Sequence, residues 1–392
     1  MAVSEQRPIT HEAILARTRE LVPAIRDRAI EAERMRRQPD ETVKAYVDAG
    51  LIRVLLPARW GGYELPLDTF VDSVLEIAKV DGSAGWCYSL LLAHVWFLAL
   101  FPEQAQHDVW SDNLDALLAT SFVPAGRPVR VEGGYLLSGN WPWSSGIDNC
   151  SWVMVNTLLM STVEGQRPEQ RFMLVPRRDY EIADTWFVAG QKGTGSNNVV
   201  VRDVFVPEYR TVNFSDIFMG QAPGMSVNPG PLYRHPLNAT FPATLAVPVL
   251  GATIGAYEVW RDGLRSKVTA YMREKVIELS HVQIRVAEIA AKIDAAELVL
   301  RRVLDVVRPG APLNPEVVAR NQRDYAYITR LCVEAIEQLY LASGGSANYE
   351  SNPLQRYWRD VHAMAAHVML NFDTAGEVFG RSTLGLPPKS GW

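Results

Sequence analysis

Gln355-Arg356-Tyr357-Trp358-Arg359-Asp360-Val361-His362-Ala363-Met364-Ala365-Ala366-His367 follows a double glycine, Gly344-Gly345. The run reads as a helix entered from a glycine turn. On one helix, His362 and His367 stand five residues and about 140° apart, so the two imidazoles cannot hold one metal ion. Asp360 and His367, seven residues apart, share a face but lie roughly 10 Å apart along the axis. Asp360 is therefore expected to be structural, and His367 to face whatever the helix end approaches. His362 is expected to be a packing or surface residue.

Outward from this segment, 392 residues are enough for a large core in two or three domains. Hydrophobic content of 48% with 21% charged residues is that of a soluble globular protein. A formal charge of −5 argues against nucleic acid or an anionic membrane as the main partner. Cys87, Cys150 and Cys332 form no CxxC pair, which disfavours a disulfide frame or a zinc site and fits a reduced, cytoplasmic setting. No apolar leader is read in residues 1–35. The longest apolar runs, Leu90–Phe101 and Leu245–Ala256, are too short to cross a bilayer and are expected to be buried helices.

Ile14, Leu21, Ile25 and Ile30 recur at helical spacing within residues 11–50. Helix is also expected over Asp68–Ala78, Ala84–Phe101, and from Phe241 onward, including the runs Ser266–Val307 and Glu316–Ser343. Between them, Tyr135–Leu137, Trp152–Leu159, Arg171–Val175 and Val199–Val206 are short β-branched or alternating stretches separated by turn residues. The expected class is mainly α with a central β domain: helical residues 1–120, a β domain over 121–236, and a helical domain over 237–392. Pro57–Pro66 and the Gly- and Pro-rich residues 219–236 read as loops.

Four places carry candidate chemistry. Trp141-Pro142-Trp143-Ser144-Ser145-Gly146 reads as a strand leaving its sheet into a tight loop, with two hydroxyls beside two indoles. An aromatic wall plus a short donor suits a planar heterocycle; the bland alternative is a turn whose serines cap backbone groups. Gly193-Thr194-Gly195-Ser196 lacks the third glycine of a dinucleotide fingerprint and precedes a strand, so it is no Rossmann site. His94, on an apolar helix, is either a satisfied core residue or a base that desolvation keeps neutral at pH 7. Arg234, in a Pro-bounded loop, is either an ordinary loop cation or a counter-charge for an anionic ligand.

These stretches together resemble the acyl-CoA dehydrogenase fold over nearly the whole chain. In the dehydrogenases, the Gly-Gly turn and the Arg-Asp pair lead into Tyr-Glu-Gly-Thr, whose glutamate is the catalytic base. Counting from Arg359-Asp360, the tyrosine slot here holds His367 and the glutamate slot Val368, so that base is missing. The pattern Gly139-x-Trp141-x-Trp143-x-Ser145-Gly146 is similar instead to a loop of two-component flavin monooxygenases, in which the serine before the glycine contacts flavin N5. Gly195-Ser196 followed by Asp203-Val204-Phe205-Val206-Pro207 resembles a signature that lies near the flavin ring in the same fold.

The resemblance implies the oxygenase component of a two-component flavin monooxygenase. Reduced flavin (FMNH2 or FADH2) would come from a separate flavin reductase, react with O2 and form a C4a-hydroperoxide that hydroxylates an aromatic small molecule, phenolic or polycyclic. It implies His94, Ser145 and His367 as catalytic residues, and Trp143, Ser144, Ser145, Thr194, Ser196 and Arg234 as flavin-binding residues. A homotetramer is also implied. Gln283 and Ala287-Glu288, in a helix read over Tyr271–Val307, resemble the superfamily's pattern, but Thr269 and Met272-Arg273 replace its pyrophosphate motif and leave FMN open. The rivals are an acyl-CoA dehydrogenase or oxidase drawing a carboxylate from elsewhere, such as Glu258, and a non-redox lyase on the same scaffold.

Overall fold

The computed structural model describes residues 9–160, 168–234, 237–269, 273–306, 308 and 314–387. The opening helices are α1 (His11–Met35), α2 (Asp40–Asp48), α3 (Leu67–Ala78), α4 (Gly82–Leu98) and α5 (Glu103–Trp110). Among the described residues eight strands follow: β1 (Leu118–Ser121), β2 (Val129–Val131), β3 (Gly134–Ser144), β4 (Trp152–Leu159), β5 (Glu169–Pro176), β6 (Glu181–Ala183), β7 (Asn197–Pro207) and β8 (Thr211–Asn213). The chain closes with α6 (Phe214–Phe218), α7 (Leu237–Thr240), α8 (Ala243–Leu264), α9 (Ser280–Asp305), α10 (Pro315–Ser343), α11 (Pro353–Ala365) and α12 (Phe372–Thr383). By mutual contact the chain divides into two units. The first comprises residues up to Ser73, Leu90–Trp186 and Thr194–Leu237; the second comprises Val74–Ser89, Phe187–Gly193 and residues from Asn238 onward.

The first unit holds two four-stranded sheets, ordered β1-β4-β5-β8 and β2-β3-β7-β6. The short strands β1, β2, β6 and β8 were not expected from sequence, since three or four residues carry too little alternation to be read. β1 matters most: it runs parallel to β4, with Leu118 opposite Trp152 and Ser121 opposite Val155.

In the second unit α10 packs against α8, α9, α11 and α12. Local signals fix its ends. The Asn314 side chain accepts from the Val317 N–H, Pro315 opens the first turn, and Gly344 at φ +72° stops the helix. Asn352 and Pro353 start α11 in the same way. The segment 237–264 reaches spanning length, which the shorter Leu245–Ala256 run did not suggest. Its apolar window is 94% buried within the protein, as a core helix requires.

One expected element needs correction. The run Ser266–Val307 is not one helix, because α9 begins only at Ser280. Before it the backbone folds back on itself: Thr269 N donates to Glu274 O at 2.9 Å and Val276 N to Lys267 O at 3.0 Å, with Arg273 at φ +57°. Apolar periodicity continues across this turn, which is why the sequence hides it. Tyr271, Met272 and Val307, like His235 and Pro236 after Arg234, lie outside the described residues.

Candidate active site

In the first unit, β3 continues through Ser144, so the quoted Trp-Pro-Trp run is strand rather than exit loop. Its ladder with β7 is irregular between Trp141 and Ser144, where a bulge sits. The bulge separates the two indoles. Trp141 is fully buried and donates its N–H to Asn156 O at 2.6 Å, which makes it a core residue. Trp143 sits in left-handed backbone at φ +63° and is 65% exposed. The expected pair of indoles thus reduces to one accessible ring.

Past the strand end, three hydroxyls meet. Ser145 Oγ lies 2.8 Å from Ser196 Oγ, which lies 2.7 Å from Thr194 Oγ1. The Gly146 N–H donates to Thr194 O at 2.8 Å, tying the two loops together. Gly195, at φ +55°, must be glycine for a second reason: a Cβ would sit 2.7 Å from Asp148 Oδ2. Ser144 Oγ is buried and has no hydrogen-bond partner among the described residues. A buried hydroxyl without a partner costs free energy that a bound acceptor would recover. Arg234 does not enter this set of hydrogen bonds; it is exposed and donates from Nε to Pro229 O at 3.0 Å.

His94 is buried on α4, with Nδ1 2.9 Å from Leu118 O on β1. A carbonyl oxygen only accepts, so Nδ1 carries the proton and Nε2 keeps its lone pair. Burial lowers its pKa to about 4, partly offset by the Leu118 carbonyl. Phe97, three residues along the helix, packs edge-on to Phe172 at 4.7 Å and beside Phe122 at 5.9 Å. Thr120, two residues past Leu118, has a buried hydroxyl with no partner among the described residues. Sequence reading missed Thr120 and this aromatic wall, because β1 itself was not legible.

In the second unit, His367 departs from expectation. α11 ends at Ala365, and His367 takes extended backbone, φ −66° and ψ 132°, to cap the short turn Val368–Leu370. It therefore does not share a helix with Asp360. Its Nδ1 accepts the Met369 N–H at 3.3 Å, so in the neutral ring the proton is on Nε2. The side chain is half-buried, 6.0 Å from the Trp86 ring, and desolvation lowers its pKa to about 4. Val368, in the slot of a dehydrogenase glutamate, is 55% exposed.

The neighbouring groups fall into structural roles. His362 points Nδ1 at Trp358 O, 2.7 Å away, and Nε2 at Glu337, 2.9 Å away, and so braces α11 against α10. Asp360 is buried. Burial, then the nearby Asp81, pushes its pKa up to about 7 against the pull of the Gln191 N–H, Arg356 and Arg359.

Within the first unit, the three hydroxyls and one exposed indole form a set that fits a planar heterocycle with acceptors along its edge, such as a flavin ring.

Comparison with known proteins agrees. Residues 243–372 match the family described as acyl-CoA dehydrogenase, C-terminal domain. The chain is 38% identical over 383 residues to the flavin-dependent monooxygenase oxygenase subunit HsaA of Mycobacterium tuberculosis, covering 96% of each chain. It is 35% identical to the oxygenase component of an FADH2-dependent resorcinol hydroxylase from Rhizobium, over 97% of this chain and 96% of that one. The crystal structure of 3-HSA hydroxylase from Rhodococcus superposes with a TM-score of 0.92 at 36% identity, over 97% of this chain and 99% of that one. The chain belongs to the oxygenase components of two-component flavin-dependent monooxygenases with the acyl-CoA dehydrogenase fold.

Proposed function

We propose that this chain inserts one oxygen atom of O2 into an aromatic small molecule bearing an acidic hydroxyl, using FMNH2 or FADH2 delivered by a separate flavin reductase. The observation that carries the substrate class is His94: a neutral, buried imidazole whose Nε2 keeps its lone pair, on the same helix as Phe97 of the aromatic wall. The reduced flavin, with O2, supplies the oxygen atom and the two electrons that reduce its partner atom to water.

The chain's own residues do the rest. His94 Nε2 takes the proton of the substrate hydroxyl, which makes the ring carbon nucleophilic. Thr120 orients that hydroxyl. Ser145, held by Ser196 and Thr194, would hold the flavin ring together with Ser144 and Trp143, and Arg234 would offset the cofactor's negative charge. His367 offers its Nε2–H as a donor and excludes water, which suppresses wasteful release of hydrogen peroxide. We place the enzyme in the cytoplasm as a homotetramer. Support for assembly comes from the exposed apolar side chains Ile284, Leu298 and Leu341 on α9 and α10.

The test mixes the protein with anaerobically reduced FMN or FAD, then with 18O2 and a panel of phenols, indoles and thioarenes. One labelled oxygen in the product is expected. Bleaching by an acyl-CoA under nitrogen, or no affinity for either reduced flavin, would instead favour the dehydrogenase or the lyase.

A further inference from the structure

Asp360 is 1% exposed on α11, and its carboxylate gathers groups from separate stretches of the second unit. Oδ1 accepts the Gln191 N–H at 2.6 Å, and Oδ2 accepts the Ser83 hydroxyl at 3.4 Å. Gln191 needs that partner, because its φ of +53° is backbone that a residue with a Cβ rarely adopts. Beside it, Gly190 lies so close to α11 that a Cβ would be 2.1 Å from the Arg359 carbonyl oxygen. Arg359 in turn donates from Nη1 to Ala189 O at 2.7 Å. Residues 189–191 are therefore a strap fastened to α11 at three successive positions.

On its other side, Asp360 meets the first turn of α4. A Cβ at Gly82 would lie 3.3 Å from the Asp360 side chain and 2.8 Å from Met364 Cε. One turn further along α4, Trp86 stands against His367. An apolar residue of the same size could fill this space but could not hold two donors from different segments.

We infer that Asp360 is a positioning residue for the oxygenation reaction: its carboxylate locks the strap and the start of α4 onto α11, and so fixes Trp86 against the His367 imidazole. The inference rests on the reading of His367 as the group that limits peroxide loss.

Labelling the flavin-free full chain with diethyl pyrocarbonate tests the positioning directly, with the modified histidines read by peptide mass spectrometry. Asp360→Ala should raise the labelling rate at His367 about fivefold and leave that at His94 unchanged, since a lost pinning contact loosens only its neighbours. Asp360→Asn, which keeps an acceptor oxygen, should stay within about twofold of wild type. Unchanged labelling at His367 in Asp360→Ala overturns the inference. Should that variant fail to fold, Ser83→Ala removes one donor at small cost and carries the same test, with about a twofold rise expected. A second readout mixes reduced FMN with O2 in the absence of substrate. Asp360→Ala should speed hydrogen peroxide release in the wild-type background and add nothing to His367→Ala; a full additive effect also overturns the inference. A silent His367→Ala sinks the reading of His367 instead.

Discussion

His94 and His367 are the same residue, one buried and one half-buried, yet they present opposite chemistry. Desolvation lowers both to a pKa of about 4, so both are neutral at pH 7. The difference lies in the backbone atom facing Nδ1. At His94 it is the Leu118 carbonyl, which forces the proton onto Nδ1 and leaves Nε2 as a base. At His367 it is the Met369 N–H, which takes the Nδ1 lone pair and leaves Nε2–H as a donor. One position can remove a proton; the other can only lend one in a hydrogen bond. Residue identity does not distinguish them, whereas a single backbone partner does.

The largest test of that contrast is His94→Ala, which should lower product formation by about 10²- to 10⁴-fold, the usual worth of a general base, while reduced flavin is still consumed. Product per reduced flavin in single turnover measures it. Next comes pH. Between pH 6.5 and about 4 the unfolded chain binds more protons at His94 than the folded chain, so this site makes stability rise with pH over that window. His94→Gln should remove on the order of 3 kcal/mol of that acid sensitivity in denaturant titrations. Asp360, pushed up to about 7, acts in the opposite sense: it lowers stability as pH rises from its ordinary carboxylate range toward 7.

His367→Ala should raise hydrogen peroxide per reduced flavin about tenfold, equivalent to one hydrogen bond of about 1.4 kcal/mol. Glutamine sharpens the comparison. His367→Gln keeps an N–H donor and should recover part of the coupling, while His94→Gln supplies no base and should recover none. The smallest effect is expected at His362, whose ring contacts brace two helices. His362→Ala should cost less than about 1 kcal/mol in thermal unfolding and leave coupling unchanged.

Much of this was legible in the sequence. Asn314-Pro315 and Gly344 mark the ends of α10, and the four longer strands show their alternation, because these signals are local. The sequence also singles out the hydroxyls at 145, 194 and 196, which the fold brings together, since turn residues stand out from strand texture. What the sequence hides depends on distant partners. Nothing near residue 94 announces Leu118 O, and nothing near 360 announces the Gln191 N–H. The end of α11 was hidden too, because Ala365-Ala366 is good helix sequence and the cap that His367 makes belongs to the next turn. Trp141 and Trp143 read as equivalents until the bulge sends one into the core and the other outward.

On the proposed function, the two imidazoles split the reaction between them. Single-turnover mixing of reduced FMN or FAD, O2 and a turned-over phenol, with product and hydrogen peroxide both quantified, tests it in wild type, His94→Ala and His367→Ala. His94→Ala should cut the substrate's hydroxylation by about 10²- to 10⁴-fold without speeding peroxide release in the absence of substrate. His367→Ala should speed that release and keep hydroxylation for the fraction that remains coupled. Equal losses in both variants, on both quantities, would contradict it.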